Sequence, residues 1–240
     1  DVKQVLKGNR SLSHIFEIIQ ETLEISVKDS LPICQDTGFP YFYLKLPLKK
    51  APLIENIEEA IADALKKATE KGILRPNSVD PISNINYGNN LGEHLPYIDY
   101  HFTREDKITC YLLLKGGGSE NASGQYSLPL SEIKAGRDKK GIINTVLFHL
   151  QKIQGQGCAP GIIGIGIGGD RALSMKLAKN QLFRNLDDSA ADPALSELEK
   201  EILSKANQLE IGPMGLGGKP TLLAVKAAKA ARHPASFFVS

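Results

Sequence analysis

The chain has 240 residues, 42% of them hydrophobic and 23% charged, and its formal net charge is +2, as in an ordinary globular protein. The small net charge and the lack of a basic stripe with interleaved aromatic residues argue against a nucleic-acid partner. No apolar run approaches the roughly 20 residues of a membrane span and no signal sequence precedes Leu12, so we expect no membrane partner and a location in the cytoplasm or an organelle matrix.

Apolar residues at helical spacing, and shorter alternating or apolar runs, predict the secondary structure. The predicted helices cover residues 11–28, 53–71, 140–153, 170–184, 193–209 and 219–232. The predicted strands cover residues 41–46, 97–102, 107–114, 161–168 and the final SFFVS, with a hairpin at TREDK between the second and third of them. Since no repeat and no convincing linker divides the chain, we expect a single α+β domain of residues 1–240, with a mixed or antiparallel sheet and flanking helices.

Four reactive side chains follow one another at Cys34, Gln35, Asp36 and Thr37, before Gly38. Asp-Thr-Gly is favourable turn chemistry, so one interpretation is a plain structural turn. The other is the rim of a site in which the cysteine is a metal ligand. The stretch alone does not decide between them.

A long irregular segment and a glycine run are further candidates for functional loops. Residues 74–96 show little periodicity and many turn residues, and a loop of that length in a compact chain is usually functional. Three glycines follow Lys115, and their backbone N–H groups could form an anion-binding nest beside the lysine. A flexible loop tip is the alternative interpretation of the same glycines.

The glycines at 164, 166 and 169 fit the pattern G-x-G-x-x-G between a strand and a helix, as in dinucleotide-binding proteins. That pattern requires a second strand ending in an acidic residue about 20 residues on, and NQLFRNLDDSAADP contains no credible strand. Nucleotide binding is therefore a minor alternative. The start of the helix could still attract an anion such as a substrate carboxylate.

The three cysteines, Cys34, Cys110 and Cys158, are odd in number and far apart, unlike a secreted disulfide framework. Three unrelated buried thiols are the simplest explanation. Each cysteine, however, lies near glycine or proline residues, and a Cys158 thiolate at the mouth of the predicted strand 161–168 would suit a soft metal. The five histidines lack the spacing of a classical zinc site.

Several segments, taken together and in order, are more specific than any one of them: ICQDTG, LRPNSVDP, KGGGSEN, CAPGIIGIGIGG, LEIGPMGLGG and AARHPASFFVS. They resemble the class I, iron–sulfur-dependent fumarases, and in particular the α-subunit or N-terminal region of two-subunit fumarate hydratases and the related tartrate dehydratases. The resemblance extends from Leu31 to the last residue. It implies a hydro-lyase that reversibly hydrates fumarate to L-malate.

The resemblance also implies a cofactor, a [4Fe–4S] cluster held by three cysteines, with an open iron acting as a Lewis acid. Cys34 and Cys158 match the family's motifs, and Cys110 is taken as the ligand near the glycine run. Because family enzymes close a second domain or a β-subunit over the cluster, we expect a β-subunit partner and a homo- or hetero-oligomer.

Roles for other residues follow from the resemblance. Asp36, beside Cys34, is the candidate catalytic residue, as an acid, a base or a substrate-positioning group. The candidate substrate-binding residues are Gln35, Thr37, Arg75 and Lys115. Arg75 offers a bidentate clamp for a substrate carboxylate, and an ordinary surface arginine is the alternative.

Two other functions stay open. An L-tartrate dehydratase α-subunit is the first, although its relatives carry a cysteine directly after the triple glycine where this chain has Ser119, which favours fumarate. A non-catalytic nucleotide-binding module with inert buried thiols is the second.

Overall fold

The structure, a computed structural model, describes residues 10–240, with side chains from His14 onward. The prediction that no signal sequence precedes Leu12 lies outside the described residues. The predicted α+β class is confirmed, with mixed sheets and flanking helices. The described residues group into two compact units, residues 18–117 and residues 118–240 with residues 10–17. Within residues 10–240 no helix has a stretch long and apolar enough to cross a lipid bilayer.

The unit of residues 18–117 contains a three-stranded sheet of order β2-β1-β3. Its strands are β1 (Phe39–Pro47), β2 (Tyr97–Thr103) and β3 (Thr109–Lys115). Strand β1 is parallel to β2 and antiparallel to β3. The three predicted strands are confirmed, but the predicted hairpin between β2 and β3 is wrong. The largely buried β1 lies between them, because it pairs along both of its edges.

Two predicted helices are confirmed as α1 (Arg10–Asp29) and α2 (Ile54–Glu70), and a short helix α3 (Gly117–Asn121) follows β3. Ile61 and Leu65 of α2 pack with Phe42 of β1 and with Leu74 in one apolar cluster. Burial of such side chains is the main stabilising contribution to the unit.

The unit of residues 118–240 contains a four-stranded sheet of order β4-β7-β5-β6. Its strands are β4 (Tyr126–Ser127), β5 (Gly161–Gly168), β6 (Leu222–Ala230) and β7 (Phe238–Val239). The helices α4 (Lys139–Ile153), α5 (Arg171–Gln181) and α6 (Pro193–Gln208) confirm three further predictions. Strands β5 and β6 are parallel and β7 is antiparallel to β5, and Ile165, Ile202 and Val225 lie in the unit's core.

The helix predicted over residues 219–232 is wrong, because this segment forms β6. Its sequence LLAVKAAKA is rich in alanine, leucine and lysine, which favour helices in isolation. In the folded chain β6 pairs with β5 along its whole length and buries most of its small side chains. Tertiary pairing therefore overrides local helix propensity here.

Candidate functional site

The turn that carries Cys34 (residues 33–38, the Cys34 turn) is held by its own aspartate. The backbone N–H of Asp36 donates to Cys34 Sγ at 3.4 Å, and Asp36 Oδ1 accepts from the N–H of Gly38 at 3.1 Å. Gly38 has a φ of +87°, and a Cβ there would lie 2.6 Å from the backbone carbon of Leu114. Only glycine allows this approach to β3. The Cys34 thiol itself is exposed.

The second carboxylate oxygen of Asp36 reaches the glycine run. Asp36 Oδ2 accepts from the N–H of Gly117 at 2.7 Å. A Cβ on Gly116 would lie 3.1 Å from the same oxygen, which is tight for any side chain. The nest expected among these glycines thus directs an N–H to a carboxylate of the chain itself. Both oxygens of the candidate catalytic residue are engaged in holding the Cys34 turn and the glycine run together.

The long loop after α2 returns to the Cys34 turn at Arg75. Thr37 Oγ1 accepts from the backbone N–H of Arg75 at 3.0 Å, and Asn77 Nδ2 donates to Gly38 O at 3.0 Å. Arg75 itself is exposed. The Thr37 hydroxyl, predicted to bind substrate, therefore contacts the loop that presents the arginine.

The other two predicted substrate contacts lie at the same end of the sheet. Gln35 is exposed within the Cys34 turn. Lys115 is the last residue of β3 and pairs with Phe39, the first residue of β1. The structure therefore brings an amide, an arginine and a lysine to the segments around Asp36, as binding of a dianion would require.

Two asparagines of the long loop, Asn77 and Asn90, are not among the residues that the sequence singles out. Asn77 contacts the Cys34 turn, and Asn90 is buried and bonded to the carbonyl of Arg75 and to the N–H of Asn77. The sequence feature that could have indicated them is the high frequency of asparagine in NSVDPISNINYGNN. Asparagine side chains commonly satisfy backbone groups in turns.

Cys110 lies at the opposite end of β3 from the Cys34 turn. It pairs with Leu44, whereas Lys115 pairs with Phe39, and the five intervening steps span about 17 Å of strand. Partial burial raises the pKa of the Cys110 thiol. The placement therefore gives no support to Cys110 as a ligand beside Cys34.

Cys158, in the unit of residues 118–240, lies on a loop supported by a second glycine-rich motif. It is exposed, has a φ of +58°, and its N–H donates to Gly155 O at 3.0 Å. The N–H of Met214 donates to Ala159 O at 2.7 Å, and a Cβ on Gly155 would lie 2.4 Å from Met214 O. The segment LEIGPMGLGG thus packs against the loop that presents Cys158.

Within the unit of residues 18–117, Cys34 and Cys110 are not brought together. Within the part of the chain that the structure describes, no three His, Cys, Asp or Glu side chains lie together so as to hold a metal ion. A [4Fe–4S] cluster requires thiolates around one centre, whereas Cys34 and Cys110 lie at opposite ends of a strand. The cluster and its ligands stay a prediction from the sequence.

The G-x-G-x-x-G pattern is explained by helix packing. A Cβ on Gly164 would lie 2.0 Å from Ala178 O and one on Gly166 would lie 1.9 Å from Ser174 O, so α5 packs directly on the backbone of β5. The start of α5 is capped by Asp170, whose carboxylate accepts from Leu173 N at 2.7 Å. A pyrophosphate would compete with this carboxylate, so the structure does not favour the nucleotide-binding alternative.

Comparison with known proteins agrees with the resemblance. The family model described as fumarate hydratase (fumerase) matches residues 4–240. The chain is 47% identical over 225 residues to a Geobacillus stearothermophilus protein provisionally named class I fumarate hydratase, covering 92% of this chain and 43% of that protein. It is 39% identical over 246 residues to a Methanocaldococcus jannaschii protein provisionally named L(+)-tartrate dehydratase subunit alpha, covering 98% of this chain and 84% of that protein.

A third relative is the L(+)-tartrate dehydratase subunit alpha of Escherichia coli strain UTI89, which is 26% identical over 227 residues, or 94% of this chain and 73% of that protein. The chain spans less than half the length of the Geobacillus relative. Because the family model covers nearly all residues, the chain belongs to the class I fumarate hydratase family, the hydro-lyases that include the tartrate dehydratase α-subunits.

Proposed function

We propose that this chain is the α-subunit of a hydro-lyase that reversibly adds water to fumarate to give L-malate. The observation that carries the proposal is the convergence of family segments at one end of the sheet in residues 18–117. There Asp36 holds the glycine run, and Thr37 holds the backbone of Arg75. A four-carbon dicarboxylate needs cationic and amide donors at both ends, which this group of residues offers.

Each of these residues has a separate role in binding the substrate. The guanidinium of Arg75 binds one substrate carboxylate through two parallel N–H donors. Gln35 donates its amide N–H to the substrate, and Lys115 contributes positive charge beside the glycine run. Held in this way, the double bond is oriented for addition of a proton and a hydroxide at adjacent carbons, and orientation alone lowers the barrier substantially.

The main role of Asp36 in this proposal is to hold the Cys34 turn and the glycine run in place. Its two oxygens already accept from the N–H groups of Gly38 and Gly117. A proton transfer through Asp36 would use the remaining lone pairs or require release of one of these donors. Its assignment as the acid or base of the reaction stays a prediction from the sequence.

The choice of fumarate over L(+)-tartrate is part of the proposal, since relatives of both names match the chain. Ser119 after the glycines favours fumarate. The assay uses the chain together with its partner and compares kcat/KM for L-malate and fumarate with kcat/KM for L(+)-tartrate. We expect the larger value for malate and fumarate, and turnover of tartrate alone would reverse the choice.

A β-subunit is the proposed partner. Two relatives are named as alpha subunits, and the chain spans 43% of the Geobacillus relative. A β-subunit that closes over the site would supply further substrate-binding and proton-transfer groups. Separately purified and mixed subunits test this: we expect hydratase activity only from the mixture, and full activity of the α-chain alone would contradict it. A cytoplasmic location stays a prediction.

A further inference from the structure

Asn90 is a fully buried polar side chain in the long loop, with 1% of its surface exposed. Its Nδ2 donates to Thr69 Oγ1 at 2.9 Å and to Arg75 O at 3.0 Å, and its Oδ1 accepts from the N–H of Asn77 at 3.2 Å. A buried amide is costly unless its donors and acceptor are bonded. All of these bonds are made, and two of them go to the backbone around Arg75.

Hydrogen bonds hold both the N–H and the C=O of Arg75. Its N–H donates to Thr37 Oγ1 at 3.0 Å, and its C=O accepts from Asn90. Its guanidinium makes no hydrogen bond or ion pair with any residue between 14 and 240 that is recorded in the structure. The side chain of Arg75 therefore extends into solvent, where it can contact a ligand, while its backbone is restrained from moving with the loop.

The support behind Asn90 is a rigid helix. Thr69, in the last turn of α2, donates its hydroxyl to Leu65 O at 2.8 Å while accepting from Asn90. Leu65 is buried in the apolar cluster of the same unit. Asn90 therefore ties the loop that carries Arg75 to an element anchored by hydrophobic packing.

We propose that Asn90 is a positioning residue that aims Arg75 at a substrate carboxylate, an inference that rests on the proposed hydro-lyase function. Loss of Asn90 leaves Arg75 O and Asn77 N without their partner and lets the arginine shift. A misplacement of about 1 Å in a binding group can cost roughly 100-fold in rate. Because Arg75 binds the substrate before and during reaction, the loss appears mainly as a higher KM.

The test is a double-mutant cycle in the assembled enzyme with its partner. Asn90→Ala and Arg75→Ala are made singly and together, and KM and kcat are measured for L-malate and fumarate. We expect Asn90→Ala to raise KM about 10- to 100-fold in the Arg75 enzyme and to add less than about 2-fold in the Arg75→Ala enzyme. An equal rise in both backgrounds, or no rise in the first, overturns the inference.

Asn89→Ala is the matched control, because among residues 14–240 Asn89 Oδ1 accepts from Leu91 N within its own turn and makes no bond to the backbone of Arg75 or Asn77. We expect its KM to stay within about 2-fold of the unmodified enzyme. Asn90→Ser, which puts a small hydroxyl in place of the amide, replaces Asn90→Ala if the alanine variant does not fold.

Amide hydrogen exchange of residues 72–79 supplies a readout independent of turnover. We expect faster exchange at Arg75 and Asn77 in the Asn90 variant and no change in Asn89→Ala. Unchanged exchange in the Asn90 variant overturns the positioning role. An unmodified enzyme inactive on fumarate, malate and tartrate would instead overturn the proposed function, so the two failures are distinguishable.

Discussion

Asp36 Oδ2 accepts a hydrogen bond from the backbone N–H of Gly117 at 2.7 Å, across a separation of 81 residues in sequence. The same carboxylate binds Gly38 N within its own turn. One side chain thus fixes two family segments relative to each other. A substitution of Asp36 is therefore expected to disturb both segments.

The first prediction concerns Asp36→Asn. The amide keeps the size of the side chain but presents an NH₂ group toward one of two N–H donors, so at least one bond is lost. We expect at least a 100-fold loss of hydratase activity and a destabilisation of about 1.5–3 kcal/mol, typical of a lost bond to a charged group. Urea unfolding and steady-state kinetics measure both. The exposed Asp63 of α2 supplies the control, Asp63→Asn, and near-normal activity of Asp36→Asn would contradict the positioning role.

The second prediction compares two of the four glycines of β5, Gly166 and Gly161. A Cβ on Gly166 would lie 1.9 Å from Ser174 O, whereas one on Gly161 would lie 3.6 Å from Leu222 Cδ2, an ordinary contact. We expect Gly166→Ala to lower the free energy of unfolding by about 1–3 kcal/mol or more through overpacking, and Gly161→Ala to change it little. Equal effects of the two substitutions would show that α5 is free to move away from β5.

The third prediction concerns the cysteines. All three thiols are exposed, but Cys34 and Cys158 lie on turns, whereas Cys110 lies along β3, away from the Cys34 turn. After anaerobic reconstitution of the assembled enzyme, we expect Cys34→Ser and Cys158→Ser to lose most of the bound iron and sulfide. Cys110→Ser should retain both. Loss of iron in Cys110→Ser as large as in Cys34→Ser would instead support Cys110 as a ligand.

The fourth prediction is a pH dependence of stability from His149. Its Nε2 donates to Ala122 O at 2.7 Å and its Nδ1 accepts from the Tyr126 hydroxyl at 3.0 Å. Burial lowers the pKa of this imidazole below its usual value of about 6.5. The folded state therefore favours neutral His149, and its contribution to stability is present above that value and is lost as pH falls through the lowered pKa.

We therefore expect the free energy of unfolding to fall more steeply between pH 7.5 and 5 in the unmodified chain than in His149→Gln. Chemical unfolding at several pH values measures the two slopes. The same substitution at the exposed His94, His94→Gln, serves as the control. Identical slopes for the unmodified chain and His149→Gln would contradict the assignment.

Much of the secondary structure followed from the sequence because local patterns carry it. The stripe of α2, with Ile61 and Leu65 one turn apart, specifies a helix wherever the segment packs. The alternation in residues 97–102 likewise predicted β2. The segment LLAVKAAKA shows the limit, since its alanines favour a helix and only pairing with β5 makes it β6.

The candidate site was predictable in part for the same reason. The crowded Cys34 turn and the glycine run stand out in the sequence, and Gly38 and Gly116 prove to be needed where backbones or Asp36 approach closely. Asn90 did not stand out, because its partners at Thr69, Arg75 and Asn77 are defined only when the loop is folded.

The sequence by itself determined the family, most helices and strands, and the residue types available for binding a dicarboxylate. The tertiary structure decided that β1 separates β2 from β3, that Asp36 grips Gly117, and that Cys110 lies at the far end of its strand. The physical reason is the range of the forces involved. Local propensity acts over a few residues, whereas strand pairing and side-chain hydrogen bonds join groups that are remote along the chain and whose partners no local pattern specifies.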